Sequence, residues 1–179
     1  LDGWGEVWTE ENLWGGTGTV YQGEVAGVTV LALDAPHLYD REGGPYNGAQ
    51  GDWWDNPQRF AALSWVAAQI ARHGIDGWKP DILHAHDWQA GLAPAYLAYG
   101  GSGGVGTVIT VHNIAFQGQA PAGLIDELRL PRSQFYPDAL EYFGTLSSLK
   151  AALVTADKVT TVSPHYAEEL MRPEFGMGL

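Results

Sequence analysis

Short apolar runs alternate with helical apolar stripes along this chain, and that alternation restricts the fold more than any other feature. Residues 81–85, 107–111 and 158–162 read as strands. Between them lie a helical pattern at 88–99 and a stripe of Leu146, Leu149, Leu153 and Val154, and a further helix at 164–171 begins after Ser163. Strands joined through helices run parallel. The expected fold class is therefore α/β, a parallel sheet with helices on both faces. Ahead of this unit, residues 19–24 and 28–34 are rich in β-branched side chains and meet at Ala26-Gly27, a hairpin signal. Asn56-Pro57 marks a helix start, with Asn as N-cap and Pro at the first helical position. Phe60, Leu63, Ala67 and Ile70 give that helix one apolar face, and Gly74 ends it. Residues 36–54 are polar. Two aspartates, four glycines and Pro45 fall between 40 and 52, so this segment is expected to be a surface loop, mobile without ligand.

Composition narrows the function. At 179 residues the chain is the size of one domain, and 45% hydrophobic with 17% charged residues argues against disorder and against a coiled coil. Nine Lys+Arg against 21 Asp+Glu leave a net charge of −12, so neither nucleic acid nor an anionic membrane is an expected partner. The absence of cysteine removes disulfides, thiolate metal sites and Cys nucleophiles together. The longest nearly apolar stretch, residues 60–71, falls short of the roughly 18 needed to span a bilayer. A soluble protein is expected. Leu1 is not an initiator Met, and no targeting signal precedes the first strand. The chain reads as part of a larger protein extending in both directions.

In parallel sheets ligands bind beyond the carboxyl ends of the strands. Residues 81–85 lead into His86-Asp87-Trp88, and residues 107–111 into His112-Asn113, which places both clusters on one rim. Each residue also has an ordinary structural explanation. Asp87 stands where a helix N-cap belongs. Asn113 tolerates a left-handed turn, and His84 alternates with His86 as a core histidine can. Two strand ends that each carry His beside a polar partner, one with an adjoining tryptophan, favour a ligand rim. Spacing leaves a metal site open as well: His84-x-His86-Asp87 approaches the His-x-His-x-Asp-His run of binuclear metallohydrolases. Trp88 occupies the place where that run needs a further acidic residue, so the match is poor.

Longer stretches resemble one family. Ala35-Pro36-His37-Leu38-Tyr39-Asp40-Arg41 with Gly44-Pro45-Tyr46, then Asp55-Asn56 with Arg59-Phe60, are similar to successive segments of the bacterial glycogen synthases and plant starch synthases. These are retaining glycosyltransferases of the GT-B fold. His84-Ala85-His86-Asp87-Trp88-Gln89-Ala90-Gly91 and Val111-His112-Asn113-Ile114-Ala115-Phe116-Gln117-Gly118 resemble the family's two most recognisable signatures. Leu149-Lys150-Ala151, Ala156-Asp157, Thr160-Thr161-Val162-Ser163-Pro164 and Phe175-Gly176-Met177-Gly178-Leu179 continue the likeness. It runs from about residue 28 onward and rests on all these segments together. The resemblance implies two Rossmann-like domains per enzyme, of which residues 1–179 are an incomplete N-terminal, acceptor-side domain. The C-terminal nucleotide-sugar domain, with its basic residues and glutamate, is absent from the chain. So is the family's Lys-x-Gly-Gly loop, since Gly15-Gly16-Thr17-Gly18 lacks a lysine in the right place. The 179 residues alone are expected to be inactive.

The reaction implied is transfer of glucose from ADP-glucose to the non-reducing end of an α-1,4-glucan, with retention, in the bacterial cytoplasm, a plastid location staying open. The partners are that glucan and the nucleotide-sugar donor; no cofactor and no metal are expected. By resemblance His112 presents its main-chain carbonyl and ring to the donor glucose, and Asp87 accepts hydrogen bonds from sugar hydroxyls. Tyr46, Trp88, Asn113 and Gln117 are the implied substrate-binding residues, with a core role equally open for Trp88. Lys150 is either a snorkelling lysine or the partner of a buried carboxylate. His165 replaces the small hydroxyl residue usual after Ser-Pro. Two other readings stay open: a catalytically silent glucan-binding module on the same half-fold, and a metal-dependent hydrolase using His84, His86 and Asp87.

Overall fold

A computed structural model describes residues 3–179. Three strands, β1 (Gly5–Glu10), β2 (Gly18–Val25) and β3 (Val28–Asp34), form an antiparallel sheet in that order. The β2–β3 hairpin is the expected one. Ala26 and Gly27 both take positive φ, 52° and 79°, and two left-handed residues in succession make the turn whose twist matches the flanking strands. Strand β1 carries no comparable signal in the sequence and exists through its pairing with β2.

Residues 36–54 hold more regular structure than their composition predicts. They contain a one-turn helix, α1 (Pro36–Tyr39), and a hairpin of two-residue strands, β4 (Asn47–Gly48) and β5 (Gly51–Asp52). Counting apolar anchors misses what ties this segment down, because the ties are polar. Buried Arg59 donates Nε to the Leu38 carbonyl and Nη1 to the Pro45 carbonyl, each at 2.8 Å. Arg41 grips Asp55 with two contacts of 2.6 and 2.5 Å. Asn56 Nδ2 donates to the Tyr46 carbonyl at 2.8 Å.

The long helix α2 (Asn56–His73) takes Asp55 as its N-cap position, so Asn56 is its first helical residue and not the cap. The Asn56 side chain is used instead on Tyr46 and, through Oδ1, on Arg59. Gly74 ends the helix as expected, at φ 79°, with its N–H returned to the Ile70 carbonyl. The expected apolar face proves too narrow. Ala61, Ala68 and Ala71 enter one core, whereas Ala62, Val66 and Ile70 enter a second with Leu13, Val20 and Leu38. Alanines let α2 pack closely on both sides. Leu63, read as inward, is 40% exposed and lines an apolar groove of about 220 Å³ between β3 and the strand at Ile82.

The remaining elements are β6 (Ile82–His86), α3 (Leu92–Gly100), β7 (Gly106–Val111), β8 (Gln119–Pro121), β9 (Glu141–Tyr142), β10 (Thr145–Ser147), α4 (Ser148–Thr155), β11 (Lys158–Thr161) and α5 (Pro164–Leu170). Strand β7 lies between β6 and β11, and both pairings are parallel. The α/β class with a parallel sheet stands as read. Leu83, Ala85, Ile109 and Val111 are buried, while Ile82, His84 and His86 alternate with them and stay exposed. Strands β8, β9 and β10 form a separate small antiparallel sheet.

Several local expectations change. Helix α3 begins at Leu92, not at 88, since residues 87–91 are spent on a turn that Asp87 opens at φ 51°. Leu146 belongs to β10, outside α4, whose N-cap is Ser147. Lys150 Nζ takes neither of its two expected roles and donates to the Pro137 and Glu141 carbonyls. Helix α5 starts after Ser163, which caps it by accepting from the Tyr166 N–H at 3.1 Å. Among the described residues, no helix is long and apolar enough to cross a membrane.

The Arg41–Asp55 pair generates a prediction. Burial opposes ionisation of Asp55, but the Arg41 guanidinium outweighs it and holds the carboxyl below its ordinary 3.8. A depressed folded value means that the stabilisation is complete above 3.8 and fades as the pH falls through the folded value. Arg41→Leu should therefore cost about 2 kcal/mol at pH 7 in urea unfolding, with the difference from the parent shrinking toward pH 3.

Candidate functional site

Parallel pairing of β6 and β7 sets His86 beside Thr110, so the chain leaves both strands on the same rim. Asp87 follows β6 in a left-handed conformation that non-glycine residues adopt at some cost, with Asp and Asn the most tolerant. That conformation turns the carboxylate across to the neighbouring strand. Asp87 Oδ1 accepts from the His112 N–H at 2.7 Å and from the Asn113 N–H at 3.3 Å. Asp87 is therefore not the N-cap of α3, where Gly91 holds that position. It caps the end of β7 and fixes the backbone of His112. Asn113 in turn closes its own turn, with Oδ1 accepting from the Ala115 N–H at 3.0 Å.

The histidines form a row on the exposed side of the sheet. His84 is not a core histidine: its Nε2 lies 2.6 Å from Thr110 Oγ1, on the exposed side. His86 Nδ1 lies 3.0 Å from His112 Nε2. Burial, reinforced by the nearby His84 and His112, lowers the His86 pKa below the ordinary imidazole value; Asp87 opposes that shift. The metal reading needs His84, His86 and Asp87 to converge, whereas His84 is bonded to the Thr110 hydroxyl, His86 to the His112 ring and Asp87 to the His112 and Asn113 amides. Among the described residues no three His, Asp or Glu side chains are grouped as a cation site.

Beside this rim opens a cleft of about 780 Å³, within the size range of ligand sites. Trp88 and Tyr46 line it. Their rings lie 5.9 Å apart, and each packs on Phe60, at 4.6 and 5.7 Å. Gly118 lets Trp88 lie flat, for a Cβ there would stand 2.5 Å from the indole. Tyr46 Oη accepts from Gln89 Nε2 at 2.7 Å. Gln117 borders the same cleft but is only 6% exposed, and both ends of its amide are engaged within the protein. Nε2 donates to the Ile114 carbonyl and Oε1 accepts from Ser147 Oγ. The structure thus brings Tyr46, Trp88 and Gln117 together in the cleft, and Asp87, His112 and Asn113 together on the adjoining rim.

Two cleft residues escaped the sequence reading. Trp54 is 84% exposed and Phe116 is 62% exposed, unusual for large apolar side chains outside an interaction surface. The Trp53-Trp54 doublet inside a polar segment was the available signal for the first. Phe116 carried none, because an aromatic residue near a strand end reads as core.

Comparison with known proteins bears on this arrangement. A family model described as the starch synthase catalytic domain matches residues 3–179. The chain belongs to the starch synthase catalytic domain family. A curated relative, a glycogen synthase of Cereibacter sphaeroides, is 74% identical over 175 residues, which is 97% of this chain and 37% of the relative. A glycogen synthase of Paracoccus denitrificans is 56% identical over 169 residues, 94% of this chain and 36% of the relative. The solved catalytic domain of starch synthase IV from Arabidopsis thaliana, bound to ADP and acarbose, superposes with a TM-score of 0.75 at 28% identity. It is covered to 36% of its length by all of this chain. The chain thus spans little more than a third of the family members it matches.

The Asp87 geometry is testable by stability alone. Asp87→Asn keeps an acceptor oxygen and a residue that tolerates positive φ, so its melting temperature should stay near the parent's. Asp87→Ala strands two amides and keeps the strained backbone, and should lose about 1–2 kcal/mol in thermal melts.

Proposed function

We propose that this chain is the acceptor-side, N-terminal part of a glycogen synthase. The whole enzyme transfers glucose from ADP-glucose to the non-reducing end of an α-1,4-glucan with retention, in the cytoplasm and without a metal or further cofactor. The observation that carries the reading is the rim itself: one carboxylate, Asp87, orders the backbone of His112 and Asn113 beside an aromatic cleft. Membership of the starch synthase family and identity of up to 74% to glycogen synthases supply the reaction class.

The chemistry asks for fixed dipoles. Retaining transfer builds positive charge at the anomeric carbon while the phosphate leaves, and groups already oriented toward that charge lower the barrier most. Asp87 holds the Asn113 N–H, which shares a peptide plane with the His112 carbonyl, and the His112 N–H before it, so that carbonyl is fixed to serve that purpose while the His112 ring faces the donor glucose. The charge of Asp87 remains available to sugar hydroxyls. Tyr46, Trp88, Trp54 and Phe116 give the acceptor glucan flat apolar faces, the surfaces against which pyranose rings pack. Asn113 supplies a polar edge, and Gln117 acts by holding the loop after β7 in shape. The 179 residues bind glucan and lack the donor half, so on their own they transfer nothing.

In the full-length enzyme, His112→Ala should lower turnover on the order of 100- to 1,000-fold and leave glucan KM within about twofold, because the lost contact belongs mainly to the transition state. Trp54→Ala should do the reverse, raising glucan KM about tenfold with turnover little changed. Steady-state kinetics with ADP-glucose and maltooligosaccharide, run with and without EDTA, reads both. Near-parental turnover in a normally folded His112→Ala enzyme would refute the assignment of this rim.

A further inference from the structure

We propose that His86 is a positioning residue for His112, holding the rotation and tautomer of the ring that faces the donor sugar; this rests on the function proposed above. The two side chains come from neighbouring strands. His86 pairs with Thr110 in the parallel register, and His112 lies two residues beyond Thr110, so both side chains rise on the same face of the sheet. His86 Nδ1 then meets His112 Nε2 at 3.0 Å, with ring centroids 5.3 Å apart. Of the two ring nitrogens of His112, Nε2 is the one that this contact engages.

His86 is itself held from behind. Its ring stacks on that of His84, centroids 4.3 Å apart and planes 30° from parallel. His84 Nε2 lies 2.6 Å from Thr110 Oγ1, which lies 2.7 Å from Thr160 Oγ1. Thr160 donates its single hydroxyl proton to the Ile109 carbonyl. It must then accept from Thr110, which must accept from His84, so the His84 proton sits on Nε2. A directed chain of hydrogen bonds across three strands thus fixes the ring on which His86 rests.

Charge supports the same role. The charged or titratable groups on this face are His84 and Asp87 beside His86 on its own chain segment, His112 at the end of β7, and Lys158 on β11, level with His84 through Val108. Burial and the two flanking imidazoles disfavour a proton on His86. A neutral His86 adds no positive charge next to an anomeric centre that is itself becoming positive, and leaves a single proton for the Nδ1···Nε2 line. A second proton between those nitrogens would break the contact.

The test compares His86→Phe, His86→Asn and His112→Ala in the full-length enzyme, each checked by thermal melt. Phe keeps the flat ring without a nitrogen, whereas Asn places an amide where Nδ1 stood. His86→Phe should lower turnover about tenfold with glucan KM unchanged, and His86→Asn should recover most of it. On unsubstituted protein with labelled imidazoles, a nitrogen–nitrogen coupling across the hydrogen bond should join His86 and His112. Parental turnover in His86→Phe beside a crippled His112→Ala overturns the positioning role alone. Parental turnover in both overturns the reading of the rim as well. Absence of the coupling overturns the pairing whatever the variants do.

Discussion

Everything at the rim depends on the register in which β6 pairs with β7. With His84 opposite Val108 and His86 opposite Thr110, the residues that leave the two strands are level, and Asp87 reaches the His112 and Asn113 amides. Because side chains alternate along a strand, a slip of one residue would turn both histidines of β6 into the core and bring Leu83 and Ala85 to the surface. The buried Leu83, Ala85, Ile109 and Val111 therefore set the position of the polar row as firmly as its own hydrogen bonds do. Core packing and site geometry are two faces of one sheet.

The opposite wall of the cleft is held by different physics. Tyr46 comes from a segment with little apolar content, and its place is set by buried Arg59, by the Arg41–Asp55 pair and by Asn56. Arg59 has carbonyl and amide acceptors in place of a carboxylate partner, so its desolvated guanidinium depends on the loop backbone for its hydrogen bonds. The loop orders the arginine and the arginine orders the loop. The aromatic cluster of Tyr46, Phe60 and Trp88 then joins this wall to the rim.

Legibility in the sequence followed the range of the interactions. The β2–β3 hairpin, the end of α2 at Gly74 and the cap of α5 at Ser163 rest on contacts within a few residues, and all were readable. The start of α3, the place of Leu146 and the partners of Lys150 were misread, because each is decided by residues distant in the chain. Asp87 is the sharpest case. An Asp after a strand and before a helix is locally a cap, and only the neighbouring β7, 25 residues on, offers the amides it prefers.

The sequence by itself determined the α/β class, the parallel order and the two strand ends that carry the polar clusters, since periodicity and strand–helix alternation are local properties of the chain. Its motifs also sufficed to suggest the family. Tertiary structure alone decided that Asp87 caps a strand, that His84 lies on the sheet surface, that Gln117 turns inward and that Trp54 and Phe116 open onto the cleft. Those outcomes depend on which distant backbone groups need a partner and which side chains find none to cover them, and neither is settled until the strands have paired.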